Sequence, residues 1–499
     1  MNMTSAPAHI AIIGGGIAGL AAAHRLEELS REREVPLRCT VLEASDRVGG
    51  TIGTEQRDGF VLEYGPDSFI SEKPWALDLC RRLGLEDDLI GTQDRFRTTF
   101  VVRHGRLEPL PEGFMLLAPT RLGSLVRSRL FSWPGKLRMG LDLVLPRGPQ
   151  RDDESLGSFV RRRLGREALE RVAQPLVGGI YTADPAELSL AATMPRFLQM
   201  ERERRSLIYA LWRAGRSRPQ DAKGASGARW SLFVTLRNGM QQLVDTLVGR
   251  LSLGTIRCGS AVRSVQFHDT AWQIERRDGG RLQADGLILA TPAFQTARIL
   301  RSCDADLAER LAAISYSSAA TVSLAYRRQD VPHTLNGFGF VVPRIENRAI
   351  IAGTFSSVKY LGRAPDGQVL LRAFVGGALQ AELFDLDDDE MEDAVRREFA
   401  ALLGIEAAPL FSLIARYPHS MPQYLVGHLE RVAAIEQQVA AHPGLALAGS
   451  AYRGVGIADC VRSGEAAAQA LLDQLSSVPL QANDSSSGST LATDTRYMK

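Results

Sequence analysis

Apolar residues of this 499-residue chain fall into two patterns, short unbroken runs and longer stretches of helical period. The first run, His9-Ile10-Ala11-Ile12-Ile13, shows no alternation and therefore predicts a strand buried on both faces. Glycines follow at 14, 15, 16 and 19, and then Leu20-Ala21-Ala22-Ala23-His24-Arg25-Leu26, whose small side chains suit a helix packed closely on a sheet. A second strand, Arg38-Cys39-Thr40-Val41-Leu42, ends at Glu43, so the start of the chain predicts a βαβ unit with an acid at its end. Two later runs, Leu287-Ile288-Leu289-Ala290 and Ala446-Leu447-Ala448 before Gly449, have the same buried character and predict further parallel strands of that sheet.

One sheet built from three distant pieces forces the intervening segments out as insertions. Residues 98–218 carry helix-period apolar positions, as in Leu122-Gly123-Ser124-Leu125-Val126 and residues 137–145. This insert holds 21 Lys+Arg against 12 Asp+Glu, a net of +9, so the rest of a chain of net +2 carries −7. It suits docking on an anionic membrane as well as it suits a solvated helical surface. Residues 300–432 contain strand-like runs at 320–326, 339–342 and 369–375 and an acidic helix start, Asp385-Leu386-Asp387-Asp388-Asp389-Glu390, which together predict a mixed substrate-binding sheet.

The predicted fold is α/β. A Rossmann-like dinucleotide-binding domain is assembled from residues 8–72, 226–299 and 433–475, a mixed-sheet substrate domain from 73–97 and 300–432, and a basic helical insert from 98–218. Residues 214–229 read as a polar loop, and the Ser-, Thr- and Asp-rich tail 476–499 as disordered.

Composition narrows the function classes. With 45% hydrophobic and 23% charged residues the chain has ample core, at roughly 100–200 residues per domain enough for several folded units. A net charge of +2 supplies no global field for nucleic acid, so no such partner is expected. Five cysteines without a C-x-x-C pair argue against a disulfide framework and a zinc site, and a reducing cytoplasm is the expected home. The eight histidines show no metal-ligand spacing, and no serine stands in G-x-S-x-G. No run approaches the roughly 18–20 apolar residues of a membrane span, and no secretory pattern opens the chain.

Gly14-x-Gly16-x-x-Gly19 permits a tight turn and a close approach of backbone to a pyrophosphate at a helix N-terminus. Alone the motif is weak; Glu43, 24 residues after Gly19, adds a carboxylate placed to accept ribose hydroxyls. NAD and FAD remain open until Arg47-Val48-Gly49-Gly50-Thr51, an R-x-G-G continuation that NAD would not need and that can meet further phosphate and ribityl chain.

On these residues the sequence resembles the amine-oxidase-like flavoproteins and, more narrowly, the bacterial porphyrinogen oxidases. The similarity runs from about His9 to Leu475 and is most specific at Glu63-Tyr64-Gly65-Pro66-Asp67-Ser68-Phe69, residues 178–189, Ser420-Met421-Pro422-Gln423-Tyr424 and residues 454–460. It implies noncovalent FAD held by Gly14, Gly15, Gly16, Ile17, Ala18, Gly19, Glu43, Arg47, Gly49, Gly50, Thr51, Gly65, Pro66, Asp67 and Ser68, with the Val262 backbone at the adenine. Gly449, Val455, Gly456 and Ile457 would close over the pyrophosphate and the flavin, and Tyr417 stands where many relatives have tryptophan. Lys73, Gly178 and Gly179 would meet substrate, with Thr182-Ala183 replacing the more common Ala-Gly. Cys460, after the closing glycines, reads as a packed thiol rather than a flavin tether.

The implied reaction is oxidation of coproporphyrinogen III, or of protoporphyrinogen IX, by dioxygen with release of hydrogen peroxide in haem synthesis. No protein acid or base is expected to be catalytic, because N5 of the flavin is the reactive group. An amine oxidase is the alternative on the same scaffold, and a non-catalytic prenyl-GTPase escort a more distant one.

Overall fold

The computed structural model describes residues 7–111, 114–115, 118–119, 122–149, 151–217 and 231–477. A five-stranded, fully parallel sheet in the order Ile256–Arg257, Leu37–Leu42, Ala8–Ile13, Gly286–Leu289, Leu445–Leu447 gathers strands from both ends of the chain. Its unbroken apolar runs have the predicted cause. Gly286–Leu289 is buried at every position, and Ile10 pairs with both Cys39 and Gly286.

The first helix, Ile17–Glu32, is buried continuously from Ile17 to His24 because it is covered on one side by the sheet and on the other by the last helix, Ile457–Ser477. Small residues make that sandwich fit. A Cβ on Gly464 would lie 2.1 Å from the Ala18 carbonyl oxygen.

A seven-stranded mixed sheet forms the second body. Its order is Phe411–Pro422, Tyr316–Arg327, Gln368–Gly376, Ala352–Thr354, Gly339–Val341, Thr99–Arg103, Arg106–Pro109, and only the contact between Gly339–Val341 and Thr99–Arg103 is parallel. The helix Asp388–Leu403 covers one face through Met391, Val395 and Phe399. It is capped by a reciprocal capping box between Asp387 and Glu390, so within the acidic run the N-cap falls two residues after the first aspartate, Asp385, and the helix begins at Asp388. Helices of the basic insert share a core with Val101, Val341 and Ala352 of the same sheet.

Several boundaries differ from those expected. The insert expected to be helical from Thr98 opens instead with two strands of the large sheet, since Phe100, Val101 and Val102 are buried there. Residues 73–97, expected in the substrate domain, pack instead with the helices that cover the five-stranded sheet. Ala76, Leu79, Cys80 and Leu83 share one core with Leu20 and Val461. The helix His428–Val439 spans the expected boundary at 433 and seats Val432, Ile435 and Val439 in a single core. Residues 214–217 continue the helix Leu207–Ser217, while the rest of the expected loop to 229 lies outside the described residues. The last helix runs through Ser477, and the expected tail beyond it likewise lies outside them.

Candidate cofactor and substrate site

The glycine turn joins the first strand to the first helix and is held from three sides. The Gly14 N–H donates to the Leu42 carbonyl at 2.9 Å, Gly15 N–H donates to the Glu43 carboxylate at 2.7 Å, and Gly49 N–H donates to the Gly15 carbonyl at 2.8 Å. Gly14 has φ +108°, and a Cβ there would lie 2.7 Å from the Ala290 carbonyl oxygen, so sterics alone require glycine. Gly16 is different. A Cβ on it would meet nothing within 4 Å, although it caps the first helix with no side-chain acceptor for the N–H groups of Ile17, Ala18 and Gly19. An uncapped helix N-terminus facing open space fits the phosphates of a dinucleotide.

Glu43 stands at the end of the second strand, with its other oxygen accepting from Ser45 N–H and Oγ at 2.9 and 2.8 Å. Beside it the chain turns through Ser260, whose N–H donates to the Glu43 carbonyl at 2.7 Å, into the strand that begins at Val262. The Glu43 carboxylate and the start of the Val262 strand therefore share one corner. Arg47 spends its guanidinium on its own loop, donating to the carbonyls of Val48, Gly50 and Ile52 at 3.2, 2.8 and 2.9 Å. It shapes the Gly49-Gly50-Thr51 turn, which lies against Gly16.

Gly65 abuts that turn so closely that a Cβ would fall 1.9 Å from the Thr51 carbonyl oxygen and 3.4 Å from the Tyr417 hydroxyl. Tyr417 is thus beside the stretch from Gly65 to Ser68, and burial pushes its phenol up to about 12. Asp67 bonds the Ser68 hydroxyl at 2.7 Å and pairs with Lys359 at 3.0 Å. Burial drives the Asp67 carboxyl upward, yet Lys359 and Arg372, with the Ser68 hydroxyl, outweigh it and hold it at about 2. Arg372 donates to the carbonyls of Tyr64 and Gly65 at 2.7 and 2.6 Å, and buried Arg363 lies 3.8 Å from Glu63. These cations tie residues 63–68 to the large sheet.

At the far end, Gly449 also faces open space, while Gly454 and Gly456 lead into the last helix at Ile457. Cys460 is buried in that helix and its thiol is raised by burial to about 12. Lys73 is not a free ammonium. It donates to both carboxylate oxygens of Asp459 at 2.8 and 2.6 Å while keeping 43% of its side chain exposed. Tyr181 is electrostatically coupled to Asp459, and burial pushes its phenol to about 12.

Tyr181 ends a helical stretch that runs from Arg166 through a π-turn at Leu169–Ala173 to Gln174–Tyr181. Such turns displace the residues that follow, here Gly178 and Gly179. The two glycines diverge: Gly178 is buried on a small hollow with Thr182, Ile350 and Gly377, whereas Gly179 is exposed. Thr182 itself takes the left-handed conformation, φ +49°, and bonds Ser317 Oγ at 2.7 Å.

Lys359, Arg363 and Arg372 belong to no motif legible in the chain. One signal was present, an arginine at 372 inside the apolar run 369–375, where a charge on a buried strand demands a partner. Among the described residues no helix is long and apolar enough to cross a membrane, and no cluster of metal-ligating side chains occurs.

Residues 17–472 match the family model of flavin-containing amine oxidoreductases. The chain is 36% identical to the coproporphyrinogen III oxidase of Bacillus subtilis (strain 168), over 95% of this chain and 100% of that protein. It is 37% identical to the coproporphyrinogen III oxidase of Propionibacterium freudenreichii, over 93% and 91%. A crystal structure from Exiguobacterium sp. 255-15, described as a protoporphyrinogen oxidase, superposes with a TM-score of 0.83 at 30% identity, covering 94% of this chain and all of that one. This α/β chain belongs to the flavin-containing amine oxidoreductase family, within its porphyrinogen oxidase branch.

Proposed function

We propose that the chain binds FAD noncovalently and oxidises a porphyrinogen, coproporphyrinogen III in preference to protoporphyrinogen IX, with dioxygen as acceptor. The observation that carries this is the full-length similarity to coproporphyrinogen III oxidases, 36% over 475 residues, joined to a cradle whose open glycines suit a dinucleotide. Three two-electron steps convert one porphyrinogen and three dioxygen molecules into one porphyrin and three hydrogen peroxide molecules. FAD, when bound, supplies the two-electron acceptor.

The protein's own part is placement. Gly16, Ile17 and Ala18 would present N–H groups to phosphate, Glu43 would take the ribose, and the Val262 backbone would face the adenine. Arg47, Gly49, Gly50 and Thr51 would follow the chain beyond, with Gly65, Pro66, Asp67 and Ser68 along it. Gly449, Val455, Gly456 and Ile457 would close the other side, and Tyr417 would lie near the ring system. Lys73 would exchange Asp459 for a substrate propionate, an exchange its half-exposed position permits. Gly178 and Gly179 would border the macrocycle. A conjugation-driven dehydrogenation needs orientation and exclusion of water more than a strong base, so no side chain is given that role.

Residues 73–97 are best grouped with the dinucleotide-binding unit, leaving the large sheet and the basic insert to hold substrate. A reducing cytoplasm suits five widely spaced cysteines. Peripheral contact with an anionic membrane is supported by Trp133, Leu137, Leu141 and Val144, exposed by 65, 72, 48 and 67% along one side of the basic insert. Measuring kcat/KM for both porphyrinogens tests the substrate order: a higher value for the tetrapropionate is expected, and a clear preference for the divinyl substrate overturns it.

A further inference from the structure

The stretch from Ser420 to Tyr424 carries family resemblance without any role in the site just described, and its hydrogen bonds reach both sides of that site. Gln423 Nε2 donates to Ser317 Oγ at 3.0 Å and to the Tyr181 carbonyl at 3.2 Å, and the Ser189 N–H donates to the Tyr424 carbonyl at 2.7 Å. These contacts fix the end of the helix that bears Gly178 and Gly179. The Tyr424 ring, 1% exposed, is stacked on the His428 imidazole with centroids 4.0 Å apart. His428 Nε2 in turn lies 2.9 Å from the Tyr452 carbonyl oxygen.

The phenol then does something a packing residue need not do. Its hydroxyl donates to the Ser450 carbonyl at 2.6 Å and accepts from the Gly454 N–H at 2.7 Å. Those two backbone groups, four residues apart, are the pair that would close a tight turn on each other. The hydroxyl is inserted between them, so the turn is held open by one oxygen atom. Gly449 and Gly454 flank it with φ of +120° and +143°, and a Cβ on Gly454 would lie 2.3 Å from Asp459 Cγ. The spread turn therefore sets where Gly454, Val455 and Gly456 deliver the N-terminus of the last helix.

We infer that Tyr424 is a positioning residue: its hydroxyl holds the 450–454 turn open and so sets the glycines that close over the cofactor. This rests on the FAD reading above. Replacing the phenol by phenylalanine removes one donor and one acceptor at a buried site and leaves the turn free to close on itself. Tyr424→Phe, studied as full-length holoenzyme, is expected to bind FAD about tenfold more weakly and to alter the visible circular dichroism of the flavin.

If FAD affinity and flavin dichroism stay within twofold of wild type while only the melting temperature falls, Tyr424 is structural and the inference is overturned. If the wild-type protein itself retains no FAD, the cofactor reading fails first and this one with it. Should the variant not fold, amide exchange in the wild-type holoenzyme decides. Slow exchange at Gly454 supports the clasp, and exchange at the rate of an unprotected amide contradicts it.

Discussion

At the scale of single residues, the two kinds of glycine in the site make opposite predictions. Gly16 has extended backbone, φ −70° and ψ 175°, with no heavy atom within 4 Å of a would-be Cβ. Gly16→Val should therefore leave the melting temperature of the apoprotein unchanged while weakening FAD about a hundredfold or more, measured by flavin fluorescence on titration. Gly65 has no such room, with the Thr51 carbonyl oxygen 1.9 Å from the would-be Cβ. Gly65→Ala should cost about 1–3 kcal/mol of stability with or without cofactor, read by denaturant unfolding. Equal behaviour of the two variants would mean that the space in front of Gly16 is not where the cofactor sits.

At the scale of elements, the ion pair of Asp67 with Lys359 and its attraction to Arg372 contribute to acid stability. A carboxyl held low in the fold contributes stability at all pH above its ordinary value near 4, and that contribution fades as pH falls toward the Asp67 value of about 2. Asp67→Asn should flatten the loss of unfolding free energy between about pH 4 and 2. At neutral pH it should cost about 3 kcal/mol, because Lys359 and Arg372 lose their buried counter-charge. A variant with unchanged acid titration would remove Asp67 from that role.

The same elements show what the chain discloses of itself. The parallel strands are legible because burial on both faces leaves continuous apolar runs such as Leu287-Ile288-Leu289, and the glycine turn because its sterics are local. The helix Pro74–Arg82 is misplaced by sequence reading because its apolar side fits either body, and only tertiary packing against Leu20 and Val461 decides. Likewise Lys359 and Tyr424 act through partners hundreds of residues away or on another turn, with no local pattern to announce them.

For the whole molecule, the question is how the two sheets and the basic insert share the reaction. The insert presents Trp133, Leu137, Leu141 and Val144 to solvent, with Lys136 4.6 Å from the Trp133 ring. Flotation with anionic vesicles should recover the protein at low salt and lose it at high salt, and Trp133→Ser with Leu137→Ser should abolish recovery without affecting flavin content. Binding indifferent to salt and to both substitutions would leave that surface merely solvated. The claim on which the rest depends is electron transfer from a porphyrinogen to the flavin held between the glycine turn and the last helix. Anaerobic mixing of the holoenzyme with freshly reduced coproporphyrinogen III tests it directly: the account predicts that flavin absorbance bleaches as the porphyrinogen is oxidised and that porphyrin fluorescence grows once air is admitted, whereas a flavin that stays oxidised would contradict it.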